Sequence, residues 1–100
     1  MKYDKLVRDR IPEVIRERGG TPIIHIAQHE EYRIKLQEKL QEEVKEFIQD
    51  GHDEELADIV EVVYAICEYR GIDREQLETL RKEKLKKRGG FSGRIILDEA

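Results

Sequence analysis

Two glutamates fall where a helical chain ordinarily keeps its hydrocarbon. From about Glu30 to Gln49, Ile34, Leu36, Leu40, Val44, Phe47 and Ile48 recur at helical spacing, and at about 100° per residue Glu43 lies beside Leu36, Leu40 and Phe47. The next segment, Asp53 to about Arg70, has an apolar arc through Leu56, Ile59, Val60, Val62, Val63, Ile66 and Cys67. Glu55 sits between Val62 and Ile66 on that wheel. A carboxylate held against apolar surface is costly unless it is neutralised, so both positions call for a metal, a basic partner or a shifted pKa. Glu43 is expected to be half-buried.

Each glutamate has an acidic neighbour three residues on. Glu43-Val44-Lys45-Glu46 and Glu55-Leu56-Ala57-Asp58 each project two carboxylates from one helix face, and Glu61 follows one turn later beside the small Ala65. Four or five oxygen donors from facing helices suit Mg2+, a hard ion commonly shared between carboxylates and substrate phosphates. The competing reading is a solvated acidic face, the ordinary fate of such a pair in a glutamate-rich helix.

One hundred residues make one domain, 1–100, with a modest core, because 42% of the chain is charged and 38% hydrophobic, with no Trp. The apolar arc after Asp53 is wider than one neighbouring helix covers. That predicts a homo-oligomer, a dimer or tetramer; a third helix on the same face is the monomeric alternative. The net charge of -4 conceals segregation: Glu38 to Glu61 holds ten acidic and two basic residues, and Arg81 to Arg88 six basic and one acidic. A negative patch for metal and a positive segment for phosphate are what a nucleotide-hydrolysing site requires, although the same polarity also serves plain ion pairing. Cys67 stands alone in the apolar helix and reads as a core residue. No run reaches membrane-span length and Met1 to Arg10 has no signal-peptide core, so a cytoplasmic protein is expected.

Along the chain, Leu6-Val7 begins an extended or loop entry. Pro12 suits the first turn of a short helix carrying Ile11, Val14 and Ile15 that stops at Gly19-Gly20. Thr21 to Ala27, with Ile23, Ile24 and Ile26, predicts a strand or extended connector. Gly51 ends the first long helix, Asp53 is the expected N-cap of the next, and Gly71 stops that one. Asp73 to Gln76 has capping-box spacing and opens a helix over 74–88. Arg94 to Leu97 could pair with Thr21 to Ala27 in a small sheet. The fold class is mainly all-α, a helical bundle with short extended or β segments near the termini, completed by oligomerisation.

The sequence resembles the MazG-like all-helical nucleotide pyrophosphohydrolases, the superfamily that includes phosphoribosyl-ATP pyrophosphatase and dimeric dUTPases. The resemblance covers nearly the whole chain. It rests on Lys5-Leu6-Val7-Arg8-Asp9-Arg10-Ile11-Pro12, on Glu42-Glu43-Val44-Lys45-Glu46 and Glu55-Leu56-Ala57-Asp58, and on Arg88-Gly89-Gly90-Phe91 with Arg94-Ile95. The opening and closing segments look like the phosphoribosyl-ATP pyrophosphohydrolase-like subgroup. The resemblance implies Mg2+-dependent cleavage of a nucleoside triphosphate or related nucleotide between the α and β phosphates, giving the monophosphate and pyrophosphate, as a house-cleaning activity. Glu43, Glu46, Glu55 and Asp58 would be metal ligands, with Mn2+ a substitute ion. Glu61 would bind a second ion or position water. The eight-residue gap between Glu46 and Glu55 is shorter than the family's usual spacing, so the specificity loop of larger relatives is missing. Selectivity is then expected from the chain ends.

Candidate phosphate contacts are Lys5, Arg8 and Arg10 at one end and Lys84, Lys87, Arg88 and Arg94 at the other, since Arg and Lys donate to phosphate oxygens. Taken singly, a basic residue near a helix C-terminus more often answers the helix dipole. Phe91 is the best placed aromatic for a nucleobase, ahead of Tyr32 and Tyr64, against core packing for each. His25, His29 and His52 share no metal-binding spacing. Three alternatives stand beside this function. One is phosphoribosyl-ATP hydrolysis in histidine biosynthesis. Another is a non-enzymatic helical nucleic-acid-binding or interaction protein using Arg81 to Arg94, which the acidic pairs speak against. The last is a dimeric scaffold.

Overall fold

The computed structural model describes residues 3–100; Met1 and Lys2, the start of the charged opening, lie outside the described residues. Four helices follow in order, α1 (Ile11–Glu17), α2 (His29–Asp50), α3 (Asp53–Tyr69) and α4 (Arg74–Arg88), with no strand among the described residues. The chain is therefore all-α with extended connections.

Its organising unit is the hairpin of α2 and α3. Gly51 takes a left-handed conformation, φ 71° and ψ 20°, that costs a glycine little, and its N–H donates to Phe47 O at 2.8 Å. His52 is extended and caps α3 by position, so the whole link is two residues long and must reverse the chain. Asp53, expected as that cap, is instead the first helical residue, because the reversal already uses the extended conformation at His52. The antiparallel arrangement closes at the far end. There His29, at the start of α2, stacks on Tyr69, at the end of α3, with ring centroids 4.7 Å apart and Tyr69 Oη 3.0 Å from His29 Nε2. Tyr32 meets the same Tyr69 edge-on at 5.8 Å.

Leu36, Val62 and Cys67 are the buried hydrophobic residues of this hairpin, with Leu40, Phe47, Ile59, Val63 and Ile66 half-buried. Full burial of a leucine such as Leu36 contributes about 2–3 kcal/mol. The expected stripe is wider than its cover: Ile34, Val44 and Ile48 on α2, and Leu56 and Val60 on α3, remain exposed, since one partner helix shields only one side of each.

The turn after α3 is closed by Ile72 N–H to Cys67 O (2.8 Å) and Gly71 N–H to Glu68 O (3.1 Å), with Gly71 at φ 74°. Asp73 and Gln76 then form the expected capping box, each side chain bonded to the other's backbone N–H at 2.8 Å. Arg74 lies over the Tyr64 ring at 4.0 Å, fastening the start of α4 to α3. Beyond that the helix departs. α4 has no packing contact with α2, and residues 81–88 are exposed throughout.

The small sheet does not form. Residues 21–27 and 94–97 have no ladder partner among the described residues, and Ile23, Ile26, Ile95 and Ile96 are 80–98% exposed. β-Branched residues favour an extended backbone but cannot supply the neighbouring strand that would hold it. With these segments and α4 outside the hairpin, the radius of gyration is 17.5 Å, against about 13 Å for a compact chain of this length.

Candidate functional site

Glu43 is more deeply placed than the half-burial expected, 6% exposed, and Glu55 is 8% exposed. Hairpin packing puts both on the covered side of their helices, the positions their wheels assigned. Lys39, one turn earlier, reaches Glu43 Oε1 at 3.1 Å, and His52 Nδ1 lies 3.4 Å from Glu55 Oε1. In each carboxylate the other oxygen, Oε2, is buried with no hydrogen-bond partner among the described residues. A buried acceptor left unmade costs about 1–3 kcal/mol, so these two oxygens are the outstanding electrostatic demand of the fold.

Their acidic neighbours are more open. Burial raises the Glu46 carboxyl above the ordinary range, and the neighbouring charges of Glu43 and Glu42 raise it further. Asp58 is part-exposed and paired with Arg8, whose Nη2 donates to Oδ1 at 2.7 Å. Glu61 is exposed on the next turn of α3.

The residues before α1 cross this acidic surface as an arm. Lys35 donates to Asp4 O at 2.8 Å, Lys5 donates to Glu42 Oε1 at 3.0 Å, and Arg8 reaches Asp58 on the other helix. Leu6 and Val7 are half-buried between these contacts. Lys39 also donates to Glu42, at 3.0 Å. Burial pushes the Glu42 carboxyl up, but its hydrogen bonds from Lys39 and Lys5 outweigh that and hold it below the ordinary range. Lys39 was not singled out from sequence, Glu42 entered only within the motif that carries the resemblance, and His52 was set aside for want of a metal-binding spacing. Lys39 was findable, since a lysine four residues before a buried glutamate shares its face.

Of the basic residues expected to meet phosphate, Lys5 and Arg8 are brought to the acidic pairs. Arg10, at the N-cap of α1, is exposed and makes no ion pair among the described residues. Lys84, Lys87, Arg88, Phe91 and Arg94 are exposed in α4 and its extension and make no bond to α2 or α3 among the described residues. Phe91 is 98% exposed, so it is not a core residue. Tyr64 and Tyr32 are half-buried in the contacts described above.

The donor set is all carboxylate oxygen, the chemistry a hard divalent cation takes, and the two orphaned buried oxygens fit such an ion. Glu43, Glu46, Glu55 and Asp58 are the residues that could hold it. They are not gathered into a ready-made cluster: among the described residues no three acidic, histidine or cysteine groups stand close enough to hold an ion, and Lys39, His52 and Arg8 each lie against one of the carboxylates.

No family model matches the chain, and no solved structure matches it. An uncharacterized protein of Mycolicibacterium smegmatis is 55% identical over 42 residues, which are 42% of this chain and 43% of that protein. The matched stretch thus spans less than half of either chain.

Proposed function

We propose that the chain is a Mg2+-dependent nucleotide pyrophosphohydrolase whose metal shell is Glu43, Glu46, Glu55 and Asp58. The observation that carries this reading is the pair of buried glutamates on facing helices, each with an oxygen that nothing among the described residues satisfies. Lys39 pairs with one oxygen of Glu43 and His52 lies near one oxygen of Glu55, which leaves the other oxygen of each unanswered among the described residues. Two such groups on one hairpin, each with a second carboxylate three residues away, match a site that holds a cation between α2 and α3.

When bound, Mg2+ would supply charge neutralisation for the phosphates, and Glu43, Glu46, Glu55 and Asp58 would supply its oxygen ligands. The chain's own residues do the rest. Glu61, exposed one turn beyond Asp58, orients a water and accepts its proton as the oxygen bonds to phosphorus and the α–β bridging P–O bond breaks. Arg8 and Lys5 bring positive charge to the same surface for the phosphates. The exposed basic run of α4 and the Phe91–Arg94 turn form a separate positive surface, and a second copy of the chain in a homo-oligomer is the proposed means of bringing it to the acidic site.

A panel of nucleoside triphosphates, including noncanonical bases, together with phosphoribosyl-ATP is assayed for pyrophosphate release with Mg2+, Mn2+ and chelator. Metal-dependent release of pyrophosphate and a monophosphate is expected. Tight RNA or DNA binding with no release from any nucleotide overturns the reading in favour of a nucleic-acid-binding role for α4.

A further inference from the structure

The hairpin has two unlike faces. Lys5 on Glu42 of α2 and Arg8 on Asp58 of α3 lay the arm across one of them. Val44 is two residues from Glu42, and Leu56 and Val60 are each two from Asp58, which turns them about 160° away from the carboxylates that hold the arm. They therefore share the opposite face, where Ile48 joins Val44 one turn on. All four are exposed, Ile48 at 75%.

The other end of the chain is also apolar and open. Leu80 and Leu85 are exposed on α4, and beyond it Ile95, Ile96 and Leu97 are 78–88% exposed. α4, about 22 Å long, carries them away from their own hairpin, since it packs on α3 near its start and not on α2. The chain exposes 9421 Å² in all, where a compact monomer of 11.9 kDa exposes about 5,900 Å². The surplus of about 3,500 Å² on each copy is more than an obligate homodimer needs, roughly 2,000–5,000 Å² over both copies.

Charge decides which surfaces meet. Glu38 to Glu61 holds ten acidic and two basic residues, so two hairpins laid face to face repel each other, and that pairing leaves 95–97 in water. Arg81 to Arg88 holds six basic residues and one acidic, and among the described residues only Arg81 of these makes an ion pair, with Glu78. Asp53, Glu54 and Glu61 stand exposed on α3 as its complement. We propose that a second copy of the chain covers the open face: the later half of its α4 lies along the acidic outer side of α3, and its Ile95, Ile96 and Leu97 seat on Val44, Ile48, Leu56 and Val60. The exchange is reciprocal, which closes the assembly as a two-fold dimer. It gives a contact surface to the homo-oligomer of the proposed function and does not rest on the chemistry of the acidic pairs.

Sedimentation equilibrium of the full chain in chelator, without nucleotide, tests it with the wild type, Ile48→Glu and Ile96→Glu. Both positions are exposed in the single chain, so circular dichroism of the variants should match the wild type. The wild type is expected to be a dimer that added salt weakens, and each variant to raise the dimer Kd by about tenfold or more. A second measurement locates the contact. Oxidation of an equal mixture of Ile48→Cys and Ile96→Cys should give mainly the disulfide joining position 48 of one copy to position 96 of the other, identified by peptide mapping. A wild type that stays monomeric over the concentration series, a dimer that Ile96→Glu leaves intact, or a disulfide formed mainly between two copies of position 48 overturns the exchange, the last two in favour of hairpins that meet directly. Pyrophosphate release is not read in any of these measurements, so the proposed hydrolysis stands or falls separately.

Discussion

Lys39 Nζ lies 3.1 Å from Glu43 Oε1 across one turn of α2, while the second oxygen of the same carboxylate is buried without a partner among the described residues. Among the described residues the lysine is thus the one countercharge paired with this buried anion. Replacing it by Met strands that charge and should destabilise the metal-free protein by about 3 kcal/mol, whereas Glu43→Gln removes the charge itself and should cost about 1 kcal/mol or less. Urea unfolding of the two variants in chelator checks the order. Equal losses show that Glu43 does not depend on Lys39.

Hydrolysis should follow the carboxylates without following stability. Glu43→Gln and Asp58→Asn are expected to lower Mg2+-dependent kcat/KM by more than about 100-fold, beyond what loss of an outer-shell partner costs a metal site. Circular dichroism of both should match the wild type. Full activity in both variants removes the assignment. Glu61→Gln separates two roles, since a water-positioning residue loses kcat and retains metal affinity.

Glu46 gives a pH signature. Its carboxyl is raised by burial first and then by Glu43 and Glu42, so the folded state favours the protonated form. With a folded pKa above the unfolded one, its stabilising contribution is fully present below the unfolded pKa and is lost as pH rises through the folded value. At neutral pH, Glu46→Gln should therefore melt at a higher temperature than the wild type in chelator. The difference should vanish on acidification below the carboxylate range. Mg2+ should reverse the order at neutral pH by stabilising the wild type more.

At the other end of the fold, Asp73→Ala opens the capping box and should cost α4 about 1 kcal/mol. Because α4 packs far less on α3 than α2 does, and not on α2, the loss should appear as faster amide exchange in 74–88 with little change in α2 and α3. Uniform acceleration across all helices would mean that α4 unfolds with the hairpin.

Helices and their stops were legible because their signals are local. The spacing of Leu36, Glu43, Val62 and Glu55 along each helix placed them on the covered side, and Gly51, Gly71 and Asp73–Gln76 ended or began helices where expected. What the spacing could not show was depth: Glu43 is nearly enclosed while Val44 and Ile48 are exposed, an outcome of tertiary packing and not of the period alone. The arm was hidden for a different reason. Lys5–Glu42 and Arg8–Asp58 join residues 37 and 50 positions apart, and no periodicity encodes such a pairing. Residues 21–27, read as a strand or an extended connector, are a connector, because β propensity describes a preference that only a neighbouring strand can realise.

The two-residue reversal at Gly51–His52 carries a constraint on how this chain can change. With no slack between α2 and α3, a residue inserted after Gly51 must either lengthen the reversal or turn every later α3 side chain by about 100°, carrying Glu55 out of its buried position and Asp58 away from Arg8. Variation at this reversal is open to substitution and closed to length. The number of residues separating the acidic pairs is therefore as much a determinant of the site as the carboxylates themselves, and it is inherited as a count.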